Sequence, residues 1–135
     1  VAFSPLARAY LTGKLLDPEA VLEAKDIRRQ MPRFEPDNYA KNLELLSGVH
    51  CIAGEVRCTP AQLALAWLLA KGKDIIPIFG TKQVEHLDEN LGAATVTLDK
   101  GIVERLDALI NQQTVTGPRY NAATQQEIDT EVFDA

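Results

Sequence analysis

Two short apolar runs without polar alternation, Val1-Ala2-Phe3-Ser4 and Ile75-Ile76-Pro77-Ile78-Phe79, limit the possible folds more than any other feature of this chain. A strand with one wet face alternates apolar and polar residues. A strand that does not alternate reads as covered on both faces, the habit of parallel sheets flanked by helices. Pro5 halts the first run because it has no N–H to donate, and Gly80 ends the second. Roughly 70 residues lie between them, room for the helical crossover that parallel strands require. Two parallel strands alone make a poor sheet, so the fold class expected is α/β, with these strands at the end of a larger sheet or barrel. Val1 lies directly in an apolar run with no Met before it, which reads as a start inside a strand of a longer parent.

Between and after the runs the pattern is helical. Asp17-Pro18-Glu19 has the order of an N-cap, a first-turn Pro and an acid suited to the helix dipole, predicting a short helix from about Pro18 to Glu23. Residues 25–35 have no period and carry Lys25, Arg28, Arg29 and Arg33, so they read as a long basic loop. Leu43, Leu46, Val49, Ile52 and Val56 form one apolar stripe on a helix predicted over 37–55. Thr59-Pro60-Ala61-Gln62 caps a second helix, and Leu63 to Ala70 is apolar nearly all round, as in a deeply buried helix. Thr81 is the expected cap of a helix over 83–90 that closes at Gly92. Asp99 starts a last one, with Ile102, Val103, Leu106, Leu109 and Ile110 on one face. Beyond Gln112 the chain turns polar and irregular.

Charge narrows the partners. Fourteen Lys and Arg against nineteen Asp and Glu leave a net charge of -5, which opposes general binding to nucleic acid or to an anionic membrane. No apolar run approaches the roughly 20 residues that span a bilayer, and a cytoplasmic location is expected. Cys51 and Cys58 stand seven apart with no second Cys pair and no His doublet, so neither a zinc site nor a disulfide framework is indicated.

The segments that follow the strands carry the chemistry. Gly80-Thr81-Lys82-Gln83 joins a strand to a helix N-terminus, where unpaired amides and the positive end of the dipole favour an anion. Lys82 adds a full charge, Thr81 a hydroxyl and Gly80 close access to backbone. His86 lies one turn on, and Glu89 and Asn90 a further turn along, where they can bond a purine edge. The bland alternative is a capped turn with a solvated lysine. In the first segment, Ser4, the amides after Pro5, Arg8 and Lys14 offer a second set of anion donors; the bland alternative is an ordinary polar loop.

Taken together, the two segments narrow the choice. Ser4-Pro5-Leu6-Ala7-Arg8-Ala9-Tyr10-Leu11-Thr12-Gly13-Lys14 resembles the aldo-keto reductase loop written S-P-L-G-R-G-x-L-T-G-K. Asp26-Ile27-Arg28-Arg29, Met31-Pro32-Arg33-Phe34, the run Thr59 to Leu69, Gly80-Thr81-Lys82 and Leu87 to Ala93 resemble the same family's carboxyl-terminal segments, in order, over residues 1–120. The resemblance implies the C-terminal portion of a (β/α)8 TIM barrel, its last two strands with their helices, followed by a tail at 121–135. It implies NADPH extended across the barrel's carboxyl face, with NADH less favoured. The loop holding Ser4, Leu6, Arg8 and Lys14 would wrap the diphosphate. Gly80, Thr81, Lys82, His86, Glu89 and Asn90 would hold the 2'-phosphate and adenine, and residues 25–35 would lie near the substrate mouth.

By the same resemblance, the family's proton-donor Tyr, its Lys and Asp partners and its active-site His come from strands before residue 1. Tyr10, Tyr39, Tyr120, His50 and His86 match none of them, so no catalytic residue is assigned and the segment alone is expected to be inactive. The parent would reduce aldehydes or ketones to alcohols, its partners being a small carbonyl substrate and the preceding part of the barrel. The alternative is a non-catalytic NADPH-binding regulatory or redox-sensing subunit with the same barrel. Four departures matter. Ala7 and Ala9 replace loop glycines, Phe79 stands where Pro is usual, and Gln83 stands where many relatives place Arg beside the 2'-phosphate.

Overall fold

The computed structural model describes residues 1–128. Strand β1 (Ala2–Phe3) pairs in parallel with β2 (Pro77–Ile78), Ala2 opposite Pro77 and Phe3 opposite Ile78. The chain between them carries α1 (Pro18–Val21), α2 (Pro36–Val56) and α3 (Pro60–Leu69); α4 (Val84–Leu91), α5 (Lys100–Leu109) and α6 (Ala122–Gln125) follow. Among the described residues no helix is long and apolar enough to cross a membrane.

Helix starts follow side-chain chemistry. Asp17 accepts from the Ala20 amide ahead of Pro18, and Asp99 from the Ile102 amide. Thr59 and Gln62 form a full capping box, each side chain accepting from the other's backbone N–H, with Pro60 in the first turn. Helix α1 stops at Val21 rather than running to Glu23, because Leu22 adopts an extended backbone. The guanidinium of Arg29 donates to the carbonyls of Glu19, Leu22 and Glu23 around the helix end. Residues 25–35 are not a featureless loop: Ile27–Gln30 and Pro32–Phe34 form 3-10 turns.

The core lies where α2 and α3 meet α5 and the first loop. Leu46, Val49, Ile52 and Ala53 of α2 and Leu63 and Ala64 of α3 join Leu106, Tyr10, Leu11 and Leu15. Helix α3 buries Ala61 and Leu63 to Ala66, while Leu69 at its end is exposed, so it is less enclosed than its composition suggests. Gly48 permits the close approach of α2 and α5, since a Cβ there would sit 2.7 Å from a Leu109 methyl. Glu55 and Arg105 tie the same pair of helices at the surface through two bonds of 2.6 and 2.8 Å.

Tyr10 and Tyr39 are structural. Their rings meet edge to face 5.9 Å apart, their hydroxyls donate to the carbonyls of Asn42 and Leu15, and burial raises both pKa values, that of Tyr39 to about 12. The chain after α5 is pinned, not loose. Buried Asn42 donates to the Thr116 carbonyl at 2.9 Å and accepts its amide at 2.8 Å, and Arg33 donates to the Gly117 carbonyl.

Within this chain the strands are open. Val1 is 82% exposed, Ile76 60% and Ile78 52%, so neither run is covered on both faces. Among the described residues each strand has one neighbour, and a pair of strands has two open edges.

Candidate functional site

Parallel pairing brings the ends of β1 and β2 to one side, and the segments that follow them converge. A cleft of about 920 Å³ opens between residues 4–14 and 79–90, with residues 26–28 as a third wall. Ser4, Leu6, Arg8, Lys14, Gly80, Thr81, Lys82, His86, Glu89 and Asn90 all line it.

The first wall is built from unusual backbone. Ser4 lies at φ 51, and Ala7, Arg8 and Ala9 follow at 47, 57 and 77, three consecutive left-handed residues. The turn is closed by Ala7 N–H to the Ser4 carbonyl at 2.9 Å and Leu11 N–H to the Leu6 carbonyl at 3.2 Å. Among the described residues no group accepts from the amides of Leu6, Arg8 or Ala9. Successive outward amides in such a turn form a concave set of donors suited to an anion.

Helix α4 supplies the second wall. Its N-cap is Gln83, whose side chain caps nothing. Thr81, expected as the cap, sits two residues earlier, where its hydroxyl accepts from the Gln83 amide at 3.3 Å instead. The first intrahelical bond is Leu87 N–H to the Gln83 carbonyl, so the amides of Val84, Glu85 and His86 have no helical partner. Lys82 and His86 are exposed beside them.

One bond joins these two walls and another anchors the second to α3. Lys14 reaches across to Glu89 at 3.3 Å, 75 residues on. Burial alone would raise the Glu89 carboxyl, and the Thr59 hydroxyl and Lys14 ammonium outweigh it, holding it below the usual range. Gln62 donates to the Glu89 carbonyl at 2.9 Å, fixing α4 against α3. Asn90 is buried at the cleft's inner end.

Residues 26–28, expected near the substrate mouth, form the third wall of this cleft. Arg28 is held by Asp26 through bonds of 2.9 and 2.7 Å and donates to the Arg8 carbonyl at 3.2 Å. The hydrogen bonds from Arg28 hold Asp26 at about 2. The motif Asp26-Ile27-Arg28-Arg29 was the available signal. The cleft thus has four full cations, Arg8, Lys14, Arg28 and Lys82, against the carboxylates of Asp26 and Glu89, a local excess of positive charge in an acidic chain. Among the described residues no group of His, Cys, Asp and Glu could hold a metal ion.

Cations, outward amides and an open helix start suit a phosphorylated ligand. The sequence model described as "Aldo/keto reductase family" matches residues 1–111. The chain belongs to that family. It is 44% identical over 120 residues to an aldo-keto reductase of Schizosaccharomyces pombe, yakc, whose name specifies NADP(+), covering 89% of this chain and 35% of that protein. It is 39% identical over 119 residues to aldo-keto reductase str7 of Strobilurus tenacellus, covering 88% and 35%. The chain therefore spans about a third of the length of these relatives.

For an aldo/keto reductase the departures in the first loop now have a structural meaning. Ala7 and Ala9, where the family loop has glycine, do occupy positive φ, so the backbone keeps the glycine conformation without glycine. Gln83 occupies the N-cap of α4, where an Arg would have faced the same cleft.

Proposed function

We propose that this chain is the phosphate-gripping portion of the NADPH site of an aldo/keto reductase, formed by the last two strands of the barrel and the segments that follow them. The observation that carries the reading is the convergence of two strand-end segments on one cleft, each with amides that donate to no group among the described residues. A relative named for NADP(+) supports the choice of cofactor. The open faces of β1 and β2 are where preceding strands of the barrel would pair and pack.

The donors fit the group. The amides of Leu6, Arg8 and Ala9, with the Arg8 guanidinium, would take the diphosphate, which gains most from guanidinium forks and backbone donors. Lys82, the Thr81 hydroxyl and the open start of α4 would take the 2'-phosphate, and His86, Glu89 and Asn90 would border the adenine. Lys14, bound to Glu89, spans the two segments and would keep the cleft closed over the ligand. When bound, the nicotinamide supplies a hydride to an aldehyde or ketone carbon in the intact protein. Acid–base groups for that step are assigned to no residue of this chain.

Isothermal titration of the intact protein with NADPH and NADH tests the reading. Trp67 donates to Asp107 at 2.8 Å and does not line the cleft, so heat is a better signal than its fluorescence. Lys82→Ala should weaken NADPH by roughly tenfold or more, the worth of a hydrogen bond to a charged group, and leave NADH nearly unchanged. Arg8→Ala should weaken both alike. Absence of saturable binding of either dinucleotide would refute the proposal.

A further inference from the structure

Asp26 lies in the wall of the cleft, yet its carboxylate is committed to one neighbour. Oδ1 accepts from the Arg28 backbone N–H at 3.0 Å and from its Nε at 2.9 Å, and Oδ2 accepts from a terminal guanidinium nitrogen at 2.7 Å. A fork gripped along one edge has a fixed plane. The other terminal nitrogen is thereby aimed at the Arg8 carbonyl, 3.2 Å away. Arg8 is the middle of the three left-handed residues, and its own amide and that of Ala9 are among the outward donors. Such backbone persists only where surrounding contacts over-determine it. The Arg28 bond is a contact of that kind, arriving from a segment 20 residues along the chain.

We infer that Asp26 is a positioning residue: by fixing the guanidinium of Arg28 it latches residues 26–28 onto the Arg8 carbonyl and holds the first loop in its anion-receiving conformation. The inference rests on the function proposed above and deepens it. Two signs of effect separate it from simple electrostatics. A carboxylate in an anion-binding cleft repels phosphate, so if Asp26 acted as a charge alone its neutralisation would tighten the complex. A latch works in the opposite direction, because without Asp26 the guanidinium swings free and the loop loses its tie.

The test is titration of the intact protein with NADPH, alongside the thermal midpoint of each variant. Asp26→Asn keeps the size of the side chain and an oxygen to accept the Arg28 amide, so the 3-10 turn retains its cap. It presents an NH2 where the fork needs an acceptor. Affinity should fall about tenfold, the loss of one charge-assisted contact. The same change in an Arg28→Ala background should cost nothing further, since the two residues act as a unit. Unchanged or tighter binding by Asp26→Asn, or additive losses in the double variant, would overturn the latch. Should Asp26→Asn fail to fold, Arg28→Lys carries the same test: it keeps the charge without the fork, and retained affinity would overturn the proposal. A wild-type protein that does not bind NADPH removes the functional reading itself; one that binds, with an indifferent Asp26→Asn, removes the latch alone.

Discussion

Replacing Ala9 with glycine should stabilise this protein, against the usual expectation that added backbone freedom weakens a fold. Ala9 sits at φ 77, ψ −4, directly before the 3-10 turn Tyr10–Thr12. Its Cβ crowds the following carbonyl there, at about 1–2 kcal/mol for an L-residue, and glycine carries no such penalty. Glycine gains freedom in the unfolded chain, worth about 0.4–1 kcal/mol in the opposite sense. The methyl group lines the cleft and is not part of the core, so little burial is lost. The difference leaves a net gain of about 0.5–1 kcal/mol and a midpoint higher by a few degrees. Ala7 shares the conformation but packs against the core, so Ala7→Gly should gain less. Gly13→Ala is the opposite control. Gly13 sits at φ 70, and a Cβ there would fall 2.5 Å from His50 Nε2, so both strain and displacement of the imidazole should lower stability by about 1–2 kcal/mol. Scanning calorimetry of the ligand-free protein reads all three. A lower midpoint for Ala9→Gly, or none of the expected loss for Gly13→Ala, would show that the left-handed backbone of this loop is not where the strain resides.

Asn42→Ala should destabilise by about 2–3 kcal/mol, because it leaves both the amide and the carbonyl of Thr116 without their partner; a lower denaturant midpoint and protease cleavage near residues 113–118 ahead of global unfolding would show it. Acid should act through the Asp26 and Glu55 carboxyls. Arg28 lowers the first from 3.8 to about 2 and Arg105 the second from 4.5 to about 2, so the stability they add is present above pH 4.5 and is lost as pH falls toward 2. Both pairs are solvent-accessible, so that decline should shrink in 1 M salt, and urea midpoints that rise on acidification across this window would contradict the assignment.

What the sequence disclosed depended on the range of the interaction. The caps at Asp17, Thr59 and Asp99 were legible because a cap is a bond between a side chain and an amide three residues on. Thr81 misled for a related reason: the same hydroxyl serves an amide two or three residues away, and only the extended backbone of Gln83 decides which. The strands' lack of alternation indicated their parallel pairing, which is a property of the two runs, whereas burial is a property of what surrounds them, and in this chain both runs keep exposed residues.

The meeting of the two loops followed from that pairing. Parallel neighbours end on the same side, so the segments after Phe3 and Ile78 had to share a rim whatever lay between them. The third wall had no comparable signature. Residues 26–28 lie in a 3-10 turn too short for a period, and their tie to the first loop is one guanidinium bond to a backbone carbonyl, an acceptor that every residue possesses. Nor could composition show that Ala7 and Ala9 hold a glycine conformation, because alanine at positive φ requires outside contacts to enforce it. The bond from Arg28 and the strain at Ala9 are therefore two aspects of one arrangement. Where the family loop has glycine and can adopt its shape freely, this chain has alanine, held at positive φ by contacts that include the bond from Arg28 to the Arg8 carbonyl.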